Sequence, residues 1–278
     1  MTPDRVKPAA AGVLRVGTQG WNYDAWVGPF YPTGTRPANY LQTYARAFNT
    51  VEVDSTFYAV PPMKTVQGWR QRTPEGFTFA LKLPQEITHE RHLKDPGDVL
   101  VPFLDAAREL GPKLGPILIQ CGPDFGPAEL PALTHFLPLL PPGMQFAIEF
   151  RQRGWINDGV LALLREHGVA LALSDGRWIP RNVLFKLADA PTADFAYVRW
   201  MGPDRSIVDY SRIQVDRSKE ISHWAQTLGG LLGRVKAAYL YVNNHFAGHS
   251  PASIRMLQET MGLPVVRPER MGEQLGLF

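Results

Sequence analysis

Apolar residues recur along the chain in short runs at positions 13–18, 50–53, 77–83, 117–120, 145–150, 169–173, 196–200 and 238–242. Each run is rich in Val, Ile, Leu, Phe or Tyr and short enough for a strand, and most end in a polar or charged residue. The segments between them carry helical spacing. Residues 39–48 place Tyr40, Leu41, Tyr44 and Phe48 on one stripe, and residues 99–110 do the same with Leu100, Phe103, Leu104 and Leu110 before Gly111-Pro112. Residues 158–167, 218–232 and 251–261 repeat the pattern, closed by Gly168, by the end of the Leu-rich stripe, and by Gly262 with Pro264. Alternating parallel strands and helices predict an α/β chain folded as a (β/α)8 TIM-type barrel. Residues 176–194 hold two prolines and little periodicity, so an irregular crossover is expected after the sixth strand.

The chain has 278 residues, which suits one barrel of about 250 residues flanked by tails at 1–12 and 263–278, with the barrel at 13–262. A net charge of +3 is too weak to demand a nucleic-acid partner and does not exclude one. Cys121 is the single cysteine and has no internal disulfide partner, so it reads as a packed thiol in a reducing, cytoplasmic setting. No apolar run of membrane-spanning length occurs, and residues 1–12 lack a signal-type apolar core, so no membrane role is expected.

In such a barrel chemistry belongs to the C-terminal strand ends. Side chains two apart on a strand share a face, which pairs Glu52 with Asp54 and Glu149 with Arg151. Lys82, Gln120, Asp175, Arg199, Asn243 and Asn244 complete a mixed ring of charge. One reading is a closed structural network. The other is a site, because acids and bases brought together in a partly dry cleft have their pKa values pushed apart. Glu149, Glu52 and Asp175 then stand as candidate proton carriers, while Lys82, Arg151 and Arg199 suit an anionic oxygen, phosphate above all. Glu52 and Asp54 are oxygen donors for a divalent cation, but the three neighbouring cations oppose one, and no cofactor is assigned.

Histidines offer a second route to chemistry. His89 and His92 lie three apart and His245 and His249 four apart, without the motif that makes such spacings a metal site. His89 lies close enough to the third run to reach the mouth and is the candidate for proton transfer. Aromatic residues crowd the same ends: Trp21, Tyr23, Trp26, Phe30 and Tyr31, then Phe57 and Tyr58, then Trp155, Trp178 and Trp200. They serve either as lids packed over the barrel or, interleaved with arginine, as stacking faces for bases or sugar rings.

The blocks Gly17-Thr18-Gln19-Gly20-Trp21-Asn22-Tyr23, Phe48-Asn49-Thr50-Val51-Glu52-Val53, Phe79-Ala80-Leu81-Lys82, Glu149-Phe150-Arg151, Tyr197-Val198-Arg199 and Tyr241-Val242-Asn243-Asn244 resemble the YecE-like family of barrel proteins, known as a domain of unknown function. The resemblance spans nearly the whole barrel and implies a TIM-type fold without implying a reaction. This chain departs from it at Trp200-Met201-Gly202, where the family usually has His-Gly, and at Asp54, where Asn is common. A looser likeness to the endonuclease IV and xylose isomerase superfamily carries no ligand set with it. The final Gln274-Leu275-Gly276-Leu277-Phe278 resembles the pentapeptide by which bacterial replication and repair proteins dock on the sliding clamp. Leu275, Leu277 and Phe278 would anchor it and Gln274 would direct it, unless the tail instead folds back over the barrel. Together these features point to a hydrolase or nuclease-like enzyme acting on a phosphate-containing substrate in DNA repair or metabolism. A sugar-directed hydrolase or isomerase and a non-catalytic single-strand-binding module are the alternatives.

Overall fold

The structure is a computed structural model and describes residues 12–271. Eight parallel strands form one sheet: β1 Val13–Thr18, β2 Thr50–Val53, β3 Thr78–Lys82, β4 Leu114–Gln120, β5 Phe146–Glu149, β6 Ala170–Gly176, β7 Phe195–Gly202 and β8 Ala237–Val242. From β2 to β8 each strand pairs with its sequence neighbour, and β1 pairs with β8, so the sheet curls into a (β/α)8 barrel. The helices are α1 Tyr40–Ala47, α2 Met63–Gln71, α3 Gly97–Arg108, α4 Leu130–Phe136, α5 Asp158–Glu166, α6 Arg181–Ala188, α7 Ser218–Leu232, α8 Ser250–Thr260 and α9 Pro268–Met271. No helix among the described residues is long and apolar enough to cross a membrane.

Closure between β1 and β2 is achieved without a regular ladder. The hydroxyl of Tyr44 on α1 accepts from the Thr18 amide at 2.7 Å and donates to the Thr50 carbonyl at 3.0 Å, so one phenol replaces a missing strand-to-strand bond. Above it the Gly20 amide reaches the Glu52 carbonyl at 2.8 Å, within a bridge between Gln19 and Glu52. Gly17 permits this approach, since a Cβ there would lie 1.9 Å from the Thr50 carbonyl oxygen.

Two cores follow from strand alternation. Side chains facing out meet the helices; those facing in fill the barrel with small Ala80, Ala147 and Ala172 on one side and large Tyr197 and Tyr241 on the other. The two tyrosine rings stand 5.1 Å apart and form a floor beneath the strand ends. Trp26, Phe30 and Tyr31, which follow β1, turn away from the mouth and pack on α1: Phe30 stacks on Phe48 at 5.4 Å and Tyr31 on Tyr40 at 4.6 Å.

The sixth crossover corrects the expectation of irregularity. It contains α6, with Pro180 at its N-terminal boundary and Pro191 beyond its end, positions where proline bounds a helix and does not break it. The irregular crossover lies one unit later, between β7 and α7. There Asp204, Asp209 and Asp216 each accept a hydrogen bond from the amide two residues on, at Ser206, Ser211 and Ser218, and three such Asx turns leave no room for a helix. The chain beyond 262 also packs closer than a trailing tail: Met271 is buried, and its carbonyl accepts from Arg46 at 2.7 Å. Gln274, Leu275, Leu277 and Phe278 lie outside the described residues.

Replacing Tyr44 by Phe keeps the ring and removes the bridge, leaving the buried Thr50 carbonyl and Thr18 amide short of a partner. The expected loss is about 1–3 kcal/mol of unfolding free energy in urea. An unchanged midpoint would show that the seam does not depend on the phenol.

Candidate functional site

Five strand ends converge on one guanidinium. Arg199 of β7 is fully buried; its Nε and Nη2 grip the Glu52 carboxylate of β2 at 2.9 and 2.7 Å, a bidentate pair. Its Nη1 donates to Glu149 of β5 at 2.5 Å and to Gln120 of β4 at 3.1 Å. The Tyr197 hydroxyl adds a donor to Glu52 at 2.6 Å, and the Ser174 hydroxyl of β6 donates to Glu149. Burial works against the Arg199 cation, but Glu52 and Glu149 outweigh it and raise its pKa well above the ordinary value. Burial likewise would push the Glu149 carboxyl up, yet the charges of Arg199 and Arg151, with the Ser174 hydroxyl, hold it below the usual carboxylate range.

This network corrects several expectations. Glu52 has no exposed surface and both its oxygens are engaged, so it has no path to carry a proton to a ligand. Arg199 is sealed with it and does not present an anion-binding face. Asp175 points out of the barrel, where its Oδ2 accepts from Arg181 Nε and Trp224 Nε1, both at 2.7 Å. Ser174, its inward neighbour, takes the mouth position. Asn244 turns its Oδ1 to the Ser250 amide at 3.0 Å and so holds the start of α8. Trp155 lies in the core between Phe125 and Phe150, at 5.1 and 4.6 Å, with its indole N–H on the Phe125 carbonyl. Trp21 and Tyr23 are not displaced in this way: Trp21 packs edge-on to Trp69 at 5.9 Å, Tyr23 donates its hydroxyl to the Gln19 carbonyl at 2.9 Å, and both line a cavity of about 510 Å³ with Asp54. Burial, followed by the charge of Asp54, raises the Tyr23 pKa.

One cavity that opens to solvent, of about 270 Å³, lies beside Glu149 and Ser174. Arg151, Arg177 and Arg205 line it together with Trp178, Met201, Asp204, Asn243 and His245. Arg151 Nε stands 3.7 Å from the second Glu149 oxygen and is buried with no hydrogen-bond partner among the described residues. The guanidiniums of Arg177 and Arg151 lie 4.4 and 5.6 Å from the Trp178 ring. His245 Nε2 is 3.2 Å from the Tyr210 hydroxyl, and burial, then Arg205, lowers its pKa, so the ring is neutral in neutral solution. Asn243 holds this corner: its Nδ2 donates to Gln19 Oε1 at 2.8 Å and its Oδ1 accepts the His245 amide at 2.9 Å. Met201 fills the wall where the resembled pattern has His, against the Gln19 side-chain amide.

A second group occupies the opposite rim. Lys82 pairs with Asp54 at 3.3 Å and lies 4.6 Å above the Phe57 ring; His89 meets that ring edge-on at 5.0 Å. His89 thus lies outside the cavity, and burial, then the charge of Arg151, lowers its pKa. Tyr58 is 72% exposed. The histidine pairs diverge: the His92 nitrogens face Asp124 and Glu129 at 3.1 and 3.2 Å, and His249 turns Nδ1 to the Tyr210 carbonyl at 2.8 Å. No group of three His, Cys, Asp or Glu side chains is placed to hold a metal ion among the described residues.

Arg177 and Arg205 were invisible to strand-end reasoning because both sit in loops beyond the strands, and His245 registered only as half of a histidine pair. The Asp204-x-Ser206 turn that presents Arg205 was the available signal.

Arg199→Met should lower unfolding free energy by about 3–5 kcal/mol at neutral pH, since it strands two buried carboxylates. Urea denaturation that tolerates the change would contradict the network. Because the folded-state pKa of Glu149 lies below its unfolded value near 4.5, its contribution to stability is present above that pH and lost as pH falls through the folded value. Glu149→Gln should therefore flatten the acid limb of the stability curve, and an unaltered limb would remove Glu149 from it.

Residues 15–274 match the family described as protein of unknown function DUF72. The UPF0759 protein YecE of Escherichia coli K12 is 28% identical over 268 residues, covering 90% of this chain and 93% of its own. The UPF0759 protein YunF of Bacillus subtilis is 25% identical over 277 residues, covering 90% and 95%. Among solved structures, a DUF72 family protein of Thermotoga maritima superposes with a TM-score of 0.73 at 25% identity, covering 88% of this chain and 97% of that one. One of Enterococcus faecalis gives a TM-score of 0.73 at 19% identity, covering 91% and 99%. Because the family match runs from residue 15 to residue 274, through every strand, the chain belongs to the DUF72 family.

Proposed function

We propose that the cavity beside Glu149 holds a phosphate group of a nucleotide or nucleic-acid substrate and that the protein hydrolyses a phosphate ester there. The observation that carries this reading is the unpartnered Nε of Arg151, buried in a cavity with two further guanidiniums. A buried donor without a partner is costly, and an anionic oxygen supplies the missing acceptor. Three arginines around one centre suit the oxygens of a phosphate, whose charge they also stabilise as bonding changes.

Proton transfer falls to His245 in this scheme. A carboxylate with a depressed pKa is a weak base, so Glu149 serves to orient Arg151 and balance its charge. The imidazole, neutral in neutral solution, acts as general base on an attacking water while that water's oxygen bonds to phosphorus and the ester alcohol leaves, and Tyr210 fixes the ring. Trp178 flanks the centre with a flat face for a base or sugar ring. The sugar-directed alternative loses support because Glu52, one of its two carboxylates, is sealed.

Titration calorimetry with inorganic phosphate and with a nucleoside monophosphate tests the binding step. Arg151→Gln and Arg177→Gln should each weaken both ligands by about tenfold or more, and His245→Asn should stop turnover of a model phosphodiester while leaving affinity largely intact. Failure of the unmodified protein to bind either ligand sinks the proposal.

A further inference from the structure

We infer, resting on the reading just given, that the substrate is a single-stranded nucleic acid, with one phosphate in the arginine cavity and another held by Lys82 across the mouth. Lys82 lies on β3 with only 9% of its side chain exposed, and its one ionic partner among the described residues is Asp54, at 3.3 Å. An ammonium has three N–H donors, and a single carboxylate at that distance leaves donors to spare. Phe57 closes one side of the cation at 4.6 Å. His89 rests edge-on against the same ring at 5.0 Å.

Each cation has an aromatic face beside it. Tyr58 projects into solvent, edge-on to Phe57 at 5.3 Å, while Trp178 stands with Arg177 and Arg151 on the far side. A lone phosphate uses one end of this arrangement only. A single strand repeats what the rim repeats, a charge and then an unpaired flat ring, and its bases are free to stack. A duplex turns its base faces inward and offers Tyr58 nothing.

Fluorescence anisotropy with oligothymidylates, from the mononucleotide to about eight residues, tests the inference. Affinity should rise by about tenfold or more from the mononucleotide to the longer strands, with a steeper fall as salt is raised. Tyr58→Ala, at an exposed side chain, should flatten that length dependence and leave mononucleotide affinity unchanged. Asp54→Asn should tighten the longer strands by freeing Lys82, and Lys82→Gln should weaken them. Intact mononucleotide binding with no gain from length overturns the inference alone, as does equal competition by inorganic polyphosphate, which carries charge without rings. Loss of mononucleotide binding itself overturns the proposed function with it.

Discussion

The bidentate grip of Arg199 on Glu52, extended to Glu149, fixes the geometry of the whole upper barrel. It links residues 147 and 50 positions apart along the chain, on β2, β5 and β7, through a group with no exposed surface. Burying two carboxylates and a guanidinium is expensive, and apolar side chains of similar size would often be as stable. What the charged cluster adds is direction. Its fork admits one orientation of each carboxylate, so the outward oxygen of Glu149 has a set position 3.7 Å from Arg151 Nε.

The mouth therefore has two depths with different roles. The deep layer of Glu52, Gln120 and Arg199 is dry and rests on Tyr197 and Tyr241; it satisfies itself. The shallow layer of Arg151, Arg177, Arg205 and His245 lines the cavity, and Arg151 Nε and His245 Nδ1 are buried there without a hydrogen-bond partner among the described residues. Glu149 belongs to both, giving one oxygen to each. Lys82 repeats the shallow arrangement on the far rim.

Much of this was legible in the residues. Strand positions followed from apolar runs, and alternation placed Glu52, Lys82, Gln120, Glu149 and Arg199 on inward faces, where all five are found. Alternation gives a face and no depth. Depth depends on which residues fill the barrel below, and the pairing of tyrosines on β7 and β8 with alanines opposite emerges only in three dimensions. The end of β6 shows a second limit. Ending the run at residue 173 made Asp175 look like a rim acid, whereas the strand continues to Gly176 and parity sends Ser174 inward. Helices α2 and α4 each bury only one pair of side chains three apart, Val66 with Trp69 and Leu133 with Phe136, too little to mark a stripe. The aromatic cluster after β1 has no period because it lies in a loop, so its packing on α1 left no trace along the chain.

The segment between β7 and α7 carries Asp204 and Arg205 to the cavity on a string of Asx turns. Its far half is pinned by the Gln214 amide on the Ala247 carbonyl at 2.7 Å and by Gly248, where any Cβ would strike the Arg212 carbonyl. Among the described residues, the hydrogen bonds and ion pairs of the Arg199 cluster run to Glu52, Gln120, Glu149, Ser174 and Tyr197 and none reaches this segment. The scaffold and part of the cavity wall are thus encoded on separable pieces, so this stretch can be rewritten, lengthened or exchanged between relatives to reshape the cavity while the barrel beneath keeps its shape.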